Sequence, residues 1–233
     1  MRALVVSDVH LGIPAPVPGS RAKLFELLQQ RWDTVIFLGD LFDLWLMSYE
    51  EIKEKNRELV QSIAQLPCDV IYVPGNHDDV FCGVDHLDGM HVVKQPYAFA
   101  DVGKRIVLFH GDAYDAFGKL GWFQRKITYL ISLGDRLLQW LVGPGTSVTR
   151  IIRRSAANSG RADTYSERVA QGAVSDAQGA DVVVAGHTHM PTAPRVIGIS
   201  HYVNAGDFGP EHMTYVVIED GVPTFHDAAT ESA

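Results

Sequence analysis

The sequence predicts a layered α/β fold that is interrupted by a helical insertion. Short runs rich in Val, Ile and Leu recur along the chain and mostly end in a glycine and polar residues, as in ALVVSDVH, TVIFLGDLFD, DVIYVPGNHD, RIVLFHGD, DVVVAGHTH and YVNAGDF. Continuous apolar runs are typical of strands that are covered on both faces. Between the first of these runs, residues 20–31 and 50–65 carry apolar residues at helical spacing. The run MTYVVIEDGVPTFHDA predicts a hairpin that turns at Asp220 and Gly221.

The recurring pattern of apolar runs is absent between residues 115 and 179. Three helical stretches are expected there instead, at 120–142, 148–157 and 164–178. We therefore predict one main domain built from residues 1–114 and 180–233, with residues 115–179 inserted as a helical cap. The cap also differs in charge, because residues 115–168 contain nine Lys and Arg against four Asp and Glu, whereas the remainder of the chain contains eleven against twenty-four.

Composition and charge argue against several classes of protein. The net charge of −8 and the pI of about 5.6 disfavour a general nucleic-acid-binding surface. Cys68 and Cys82 are too few for a disulfide framework and lack the spacing of metal ligands. The first apolar run is too short for a secretory signal, and charged residues interrupt the longest one, at 120–142. We therefore expect a soluble cytoplasmic protein with two reduced cysteines.

Polar residues of a selective kind follow five of the predicted strands. His187 and His189 stand two positions apart, so in an extended segment both side chains face the same side. Residues that follow the carboxyl ends of strands in α/β sheets line a shared crevice. The side chains expected in this crevice are Asp8, His10, Asp40, Asn76, His110, His187 and His189.

This mixture of side chains indicates a site for two divalent metal ions. Imidazole, carboxylate and amide oxygen together suit Mn, Fe, Zn or Co, rather than a thiolate site or an all-oxygen calcium site. Seven ligands are too many for one transition-metal ion that keeps an open position. Two ions about 3.5–4 Å apart and bridged by a carboxylate are therefore expected, with Mn(II) as the first candidate.

The blocks DVH, GDLFD, GNHD, HGD and GHTH, in this order and over nearly the full chain, resemble those of the calcineurin-like metallophosphoesterases. The resemblance implies a β-sandwich flanked by helices, with two metal ions at one end. It also implies an enzyme that hydrolyses phosphoester or phosphoanhydride bonds. The expected substrate is therefore a phosphorylated small molecule or lipid, and not a nucleic acid.

The same resemblance implies a role for each residue of these blocks. The ligands divide between the two ions, with one ion at Asp8, His10 and His189, the other at Asn76, His110 and His187, and Asp40 bridging both. His77 stays off the metals and faces the substrate phosphate or the leaving oxygen. Asp78 orients His77, so both are expected in catalysis. Asp43 and Asp112 are expected to contact the metal ligands rather than the metals, and so to hold those ligands in place.

Finer features are similar to the UDP-2,3-diacylglucosamine pyrophosphatase group of lipid A synthesis. These are GDLFDLW, the helical insertion, and GHTHMP followed by NAGDF. The best-known enzymes of that group carry arginine at the position of His77, whereas this chain has the Gly-Asn-His-Asp block of the wider superfamily. A phosphodiesterase or phosphatase that acts on a soluble small molecule, such as a cyclic nucleotide, therefore remains the alternative.

The insertion is the expected determinant of the substrate. The resemblance implies a cap that shelters acyl chains and grips the head group with basic and polar residues. Aromatic residues such as Trp140 can either line an acyl groove or pack inside the cap. Asp115, Arg154 and Arg161 are the candidates for substrate binding, and the basic residues of the cap can also contact an anionic membrane surface peripherally.

Overall fold

The computed structural model describes residues 1–13, 17–114 and 161–231. Within these ranges, two sheets pack face to face. Seven strands form the first sheet, namely β1 (Arg2–Val6), β2 (Thr34–Leu38), β3 (Asp69–Val73), β4 (His86–Leu87), β5 (Met90–Val92), β11 (Thr214–Glu219) and β12 (Val222–Asp227), in the spatial order β12-β11-β1-β2-β3-β5-β4. Five strands form the second sheet, namely β6 (Tyr97–Asp101), β7 (Lys104–Phe109), β8 (Val182–Ala185), β9 (Thr192–Ile197) and β10 (Ser200–Asn204), in the order β6-β7-β8-β10-β9.

Helices cover the outer faces of this sandwich. The described helices are α1 (Ser20–Leu28), α2 (Tyr49–Lys55), α3 (Arg57–Ala64) and α4 (Arg161–Asp176), with short 3-10 turns at Asp79–Phe81 and Asp112–Tyr114. The predicted layered α/β fold, a sandwich flanked by helices, is therefore confirmed. None of the described helices is long and apolar enough to cross a membrane.

The alternation of side chains along the strands explains the layers. Successive residues of a strand face opposite sides of the sheet. Val5 of β1 packs in the core between the two sheets together with Val184 of β8, whereas Val6 packs on the other side with Leu24 of α1. Because both faces are covered, the inner strands β1, β2 and β8 are apolar over most of their length, as the continuous runs predicted.

Strand direction brings the polar loops together. β1, β2 and β3 run parallel to one another in the first sheet, and β7, β8 and β10 run parallel in the second. Asp8 follows β1 and His189 follows β8, and their side chains are in contact, with Oδ1 and Nε2 3.2 Å apart. The carboxyl ends of both sets of parallel strands therefore open onto the same end of the sandwich.

The last helix of the predicted cap shares a core with the second sheet. Val169 and Ala173 of α4 pack against Val107 and Phe109 of β7. The division of the chain into residues 1–114 with 180–233 and an inserted 115–179 remains a prediction. Among the proposed substrate-binding residues, Asp115 and Arg154 lie outside the described residues, as do the predicted helices at 120–142 and 148–157. Arg161 begins α4, and its side chain also lies outside the described part of the chain.

The helix predicted at 50–65 is two helices, α2 and α3, which meet at Asn56. The Asn56 backbone has φ −120° and ψ 29°, outside the helical region. Its side-chain Nδ2 donates to the carbonyl oxygen of Ile52 at 2.9 Å, so a side chain competes with the backbone for a helical acceptor. Apolar periodicity alone does not reveal such a break.

Candidate metal centre

All seven predicted ligands lie at one end of the sandwich, just after the carboxyl ends of five strands. Asp8 and His10 follow β1, Asp40 follows β2, Asn76 follows β3, His110 follows β7, and His187 and His189 follow β8. The first three strands belong to one sheet and the other two to the second sheet. The crevice therefore receives side chains from both sheets.

The backbone at this end adopts left-handed conformations that most residues avoid. Asp8, His10, Asp40, His187 and His189 have φ values of 53°, 47°, 51°, 66° and 55°. They are five of the nine non-glycine residues with positive φ in the described ranges, so such backbone is concentrated here. Asp and His tolerate this region better than most residues, and strain of this kind clusters at functional sites.

Asp8, His10 and His189 form the first group of ligands. The Nε2 atoms of His10 and His189 lie 3.2 Å apart. Oδ1 of Asp8 lies 3.2 Å from Nε2 of His189 and 3.7 Å from Nε2 of His10. One carboxylate oxygen and two ring nitrogens therefore surround a common point, which is the ligand chemistry of a divalent transition metal.

The carboxylate of Asp8 is arranged to offer one oxygen to a cation. Its Oδ2 accepts hydrogen bonds from the Ser7 hydroxyl and from the backbone N–H of His187, the latter at 2.8 Å. Its Oδ1 is buried and accepts no hydrogen bond from the described residues. Burial acts to raise the pKa of Asp8, but the imidazoles of His110 and His189 outweigh it and hold that pKa well below its ordinary value. A buried, ionised oxygen without a donor fits a bound metal ion.

Asp40, Asn76, His110 and His187 form the second group. His110 donates from Nδ1 to the carbonyl oxygen of Leu38 at 3.1 Å, so the other ring nitrogen, Nε2, is the one turned toward the crevice. That Nε2 lies 3.3 Å from Oδ1 of Asn76 and 3.4 Å from Oδ2 of Asp40. His187 offers a ring nitrogen to the same group. These converging acceptors also fit a cation.

Asp40 lies between the two groups. Its Oδ2 is 3.8 Å from Nε2 of His10 in the first group and 3.4 Å from Nε2 of His110 in the second. Its Oδ1 accepts a hydrogen bond from the backbone N–H of His77 at 2.8 Å, which fixes the carboxylate. Burial opposes ionisation, but the neighbouring His110 and His77 lower the pKa of Asp40 far below its ordinary value. The geometry suits a carboxylate that bridges two ions.

Asp43, rather than Asp78, is the partner of His77. Asp43 places Oδ1 3.2 Å from Nδ1 of His77 and Oδ2 3.3 Å from Nδ1 of His10. It therefore contacts the candidate ligand His10 and His77 together on the Nδ1 side, while Nε2 of each ring faces Asp40 in the crevice. Nε2 of His77 lies 3.9 Å from Oδ2 of Asp40, and the ring is 15% exposed.

The expectation that Asp78 orients His77 is corrected by these contacts. The Asp78 carboxylate turns away from the ring and accepts hydrogen bonds from the backbone N–H groups of Gly75 at 2.7 Å and Phe42 at 3.1 Å. Burial and the nearby charge of Asp40 raise the pKa of Asp78 to about 7. Asp78 therefore ties the Gly-Asn-His-Asp loop to the neighbouring loop.

Two supporting residues were not predicted from the sequence. Asp207, which follows β10, is buried and accepts hydrogen bonds from the backbone and ring of His212, and its Oδ2 lies 3.9 Å from Nδ1 of His189. Gln95 accepts from the backbone N–H of His110 at 3.0 Å and donates to Asp112 at 2.7 Å, so Asp112 acts through it. Asp207 lies in the run NAGDF, which repeats the pattern of an apolar strand followed by glycine and a carboxylate.

Gly75 has no side chain, which leaves room for the second ligand group. Gly75→Ala is therefore expected to weaken manganese binding at least about tenfold, the effect that loss of a contact supporting a metal ligand usually has. A Cβ at this position would lie 2.6 Å from Nε2 of His110 and would also meet Oδ1 of Asp40. Calorimetric titration of the metal-free protein with Mn²⁺ measures the change. Gly103→Ala is the control, because Gly103 has φ 75° and open space around a new methyl group, so this variant bears backbone strain without touching the site. Equal affinity in both variants would argue against this packing role.

The first 191 residues match the family model described as "Calcineurin-like phosphoesterase". The chain belongs to this family. It is therefore a metal-dependent hydrolase, as the sequence blocks predicted, and its crevice brings together histidine and carboxylate side chains that could hold metal ions.

Relatives that match most of the chain carry one name, "UDP-2,3-diacylglucosamine hydrolase". The protein from Sodalis glossinidius (strain morsitans) is 28% identical over 232 residues, which cover 85% of this chain and 86% of that protein. The protein from Ralstonia nicotianae is 25% identical over 94% of this chain and 90% of its own length. That of Shewanella pealeana is 24% identical over 95% and 96%.

Solved structures of other phosphoesterases share the fold. Yfce, a phosphoesterase from E. coli, has a TM-score of 0.54 at 18% identity and covers 100% of this chain and 96% of its own. A dimetal phosphatase from Danio rerio has a TM-score of 0.50 at 13% identity and covers 98% of this chain and 99% of its own. These similarities support the architecture of the calcineurin-like phosphoesterases.

Proposed function

We propose that this phosphoesterase uses two divalent ions, with Mn(II) as the first candidate, to hydrolyse the phosphoanhydride bond of UDP-2,3-diacylglucosamine or a similar lipid-linked nucleotide in lipid A synthesis. The position of Asp40 is the main support for two ions. Its Oδ2 lies 3.8 Å from Nε2 of His10 in the first ligand group and 3.4 Å from Nε2 of His110 in the second. The shared name of the relatives supports the substrate. The assignment of Asp8, His10 and His189 to one ion and of Asn76, His110 and His187 to the other is part of the same proposal.

The side chains of the crevice then have separate tasks. When bound, the two ions neutralise the phosphate oxygens and lower the pKa of a water molecule that attacks phosphorus. Asp8 and Asp40 supply the negative charge that offsets the repulsion between the cations. His77 carries no metal and directs Nε2 into the crevice, where it can hold and deliver a proton to the leaving oxygen or bind a phosphate oxygen.

We assign the binding of the substrate's diphosphate and acyl chains to the inserted segment. Residues 115–168 carry more basic than acidic side chains, which suits a diphosphate or an anionic membrane surface. Asp115, Arg154 and Arg161 remain the candidates for head-group binding. We further propose that the protein works in the cytoplasm, with the insertion in peripheral contact with the membrane.

A panel of substrates with manganese tests the proposed function. UDP-2,3-diacylglucosamine and UDP-N-acetylglucosamine contain the same diphosphate, but only the first carries both long acyl chains, so they form a matched pair. Release of UMP from the acylated compound at a kcat/KM at least about tenfold above that of the other is expected, since burial of each additional methylene contributes about 0.8 kcal/mol. Hydrolysis of cyclic nucleotides, with neither UDP compound turned over, would instead identify the alternative phosphodiesterase.

Adding manganese is expected to raise the melting temperature of the chelator-treated protein, because an ion that binds only the folded chain stabilises it. At a manganese concentration about a hundredfold above Kd, the expected rise is roughly 5–10 °C. Differential scanning fluorimetry with and without EDTA measures the shift. Magnesium at the same concentration is the control, since Mg²⁺ prefers oxygen ligands to imidazole. A shift of equal size with both ions would contradict a site built on histidines.

A further inference from the structure

Trp45 lies flat against the off-metal histidine. The ring centroids of Trp45 and His77 are 3.7 Å apart, and the two ring planes differ by 17°. The indole Nε1 donates a hydrogen bond to the backbone carbonyl of Asn76 at 3.2 Å. Trp45 is therefore fixed to the same loop that carries His77 and a candidate metal ligand.

The other contacts of His77 leave its ring plane undetermined. Oδ1 of Asp43 lies 3.2 Å from Nδ1 of His77, but the two atoms do not form an aligned hydrogen bond, so this contact alone allows the ring to tilt. His10 touches the ring at right angles, with centroids 4.6 Å apart and planes at 88°. The parallel indole removes the remaining freedom, because a stacked aromatic plane resists both tilting and displacement.

We propose that Trp45 is a positioning residue that holds the His77 imidazole in the plane from which Nε2 reaches the leaving oxygen. This inference rests on the proposed function, and specifically on His77 as the proton donor. A proton donor must lie within hydrogen-bond reach of the acceptor atom, and a misplacement of about 1 Å can lower a rate by up to about a hundredfold. The indole also covers one face of the imidazole and excludes water from it.

Two aryl phosphodiesters test this role in the manganese-loaded enzyme. Diphenyl phosphate has a leaving oxygen that needs protonation, whereas bis(para-nitrophenyl) phosphate has one that needs it much less. Trp45→Ala is expected to lower kcat about ten- to a hundredfold on the first compound and clearly less on the second. Trp45→Phe, which keeps a planar ring, should stay within about threefold of the parent enzyme, and Trp45→Leu, which fills space without a plane, should resemble Trp45→Ala.

A double-mutant cycle with His77→Ala distinguishes positioning from a general structural role. Once His77 is absent, Trp45→Ala should cause no further loss on diphenyl phosphate. An equal loss in both backgrounds, or equal losses on the two esters, would overturn the proposal. If Trp45→Ala does not fold, the comparison of Trp45→Phe with Trp45→Leu decides in its place, and equal activity of these two variants would also overturn it.

The same assays separate this inference from the proposed function. A parent enzyme that turns over neither ester with manganese would contradict the general phosphodiesterase chemistry on which both rest. A parent enzyme that is active, and that loses little activity on diphenyl phosphate in His77→Ala, would contradict the role of His77. The role of Trp45 alone would be rejected by a third outcome. In it the parent enzyme is active and His77→Ala causes a large loss on diphenyl phosphate, but the losses caused by Trp45→Ala and His77→Ala are additive.

Discussion

Asp40→Asn is expected to lower kcat/KM for an aryl phosphodiester with manganese by more than about a hundredfold. Loss of a residue that merely supports a metal ligand costs about 10–100-fold, and Asp40 is placed to contact both ions directly. Asparagine keeps the size of the side chain and removes the charge. The repulsion between two cations is then no longer offset, so we expect one of the two ions to be lost.

Steady-state kinetics with bis(para-nitrophenyl) phosphate and measurement of bound manganese check this expectation together. Asp69→Asn is the matched control, because Asp69 is exposed at the opposite, amino-terminal end of neighbouring β3 and its replacement removes the same charge from the chain. The control should retain parental activity and two equivalents of metal. Full activity in Asp40→Asn would refute the bridged two-metal site.

His77→Ala is expected to lower turnover of diphenyl phosphate by about two to four powers of ten, the usual contribution of a general acid. The loss on bis(para-nitrophenyl) phosphate should be much smaller, because its leaving group is stable without a proton. Manganese affinity should change little, since the proposal assigns His77 to neither ion, although its ring lies close enough to His10 and Asp40 for this titration to be a real test. Rates on the two esters and calorimetric titration with manganese supply the measurements. Equal losses on both esters would show that His77 does not act as a proton donor.

His77→Arg extends this test to the proposed substrate. Arginine can hold a phosphate oxygen but does not give up a proton. The leaving group of a phosphoanhydride is itself a phosphate, so it depends less on a proton than the phenol of diphenyl phosphate does. The variant should therefore keep much of its activity on UDP-2,3-diacylglucosamine while losing activity on diphenyl phosphate. If the His77→Arg variant retains activity on neither compound, the native reaction also requires a proton from His77.

Much of the fold and the ligand set could be predicted because the inner strands and their polar ends have a strong local signature. The hairpin at Asp220 and Gly221 was also predicted correctly, and both residues have positive φ, as a tight hairpin turn requires. β6 and β9 were not predicted, because edge strands lack the continuous apolar run of a strand that is covered on both faces. β9 also contains Pro194, which an edge strand tolerates and which weakens the sequence signal.

The supporting contacts could not be predicted, because they depend on the direction of side chains in loops. Asp78 is next to His77 in sequence but turns toward backbone N–H groups, while Asp43, from another loop, reaches the ring. The stacking of Trp45 has the same origin, since its position 31 residues before Asn76 indicates nothing about contact. Sequence blocks identify ligands by their chemistry, whereas the partners of those ligands follow from the packing of neighbouring loops.

Each ligand group takes side chains from both sheets, which has a consequence for how the protein comes apart. In the first group, Asp8 comes from one sheet and His189 from the other, and in the second, Asp40 faces His110 across the same boundary. With the two proposed ions bound, the sheets could not separate at this end without releasing them. We therefore expect bound metal to hold the two sheets together and to slow unfolding and proteolytic attack on the opened chain.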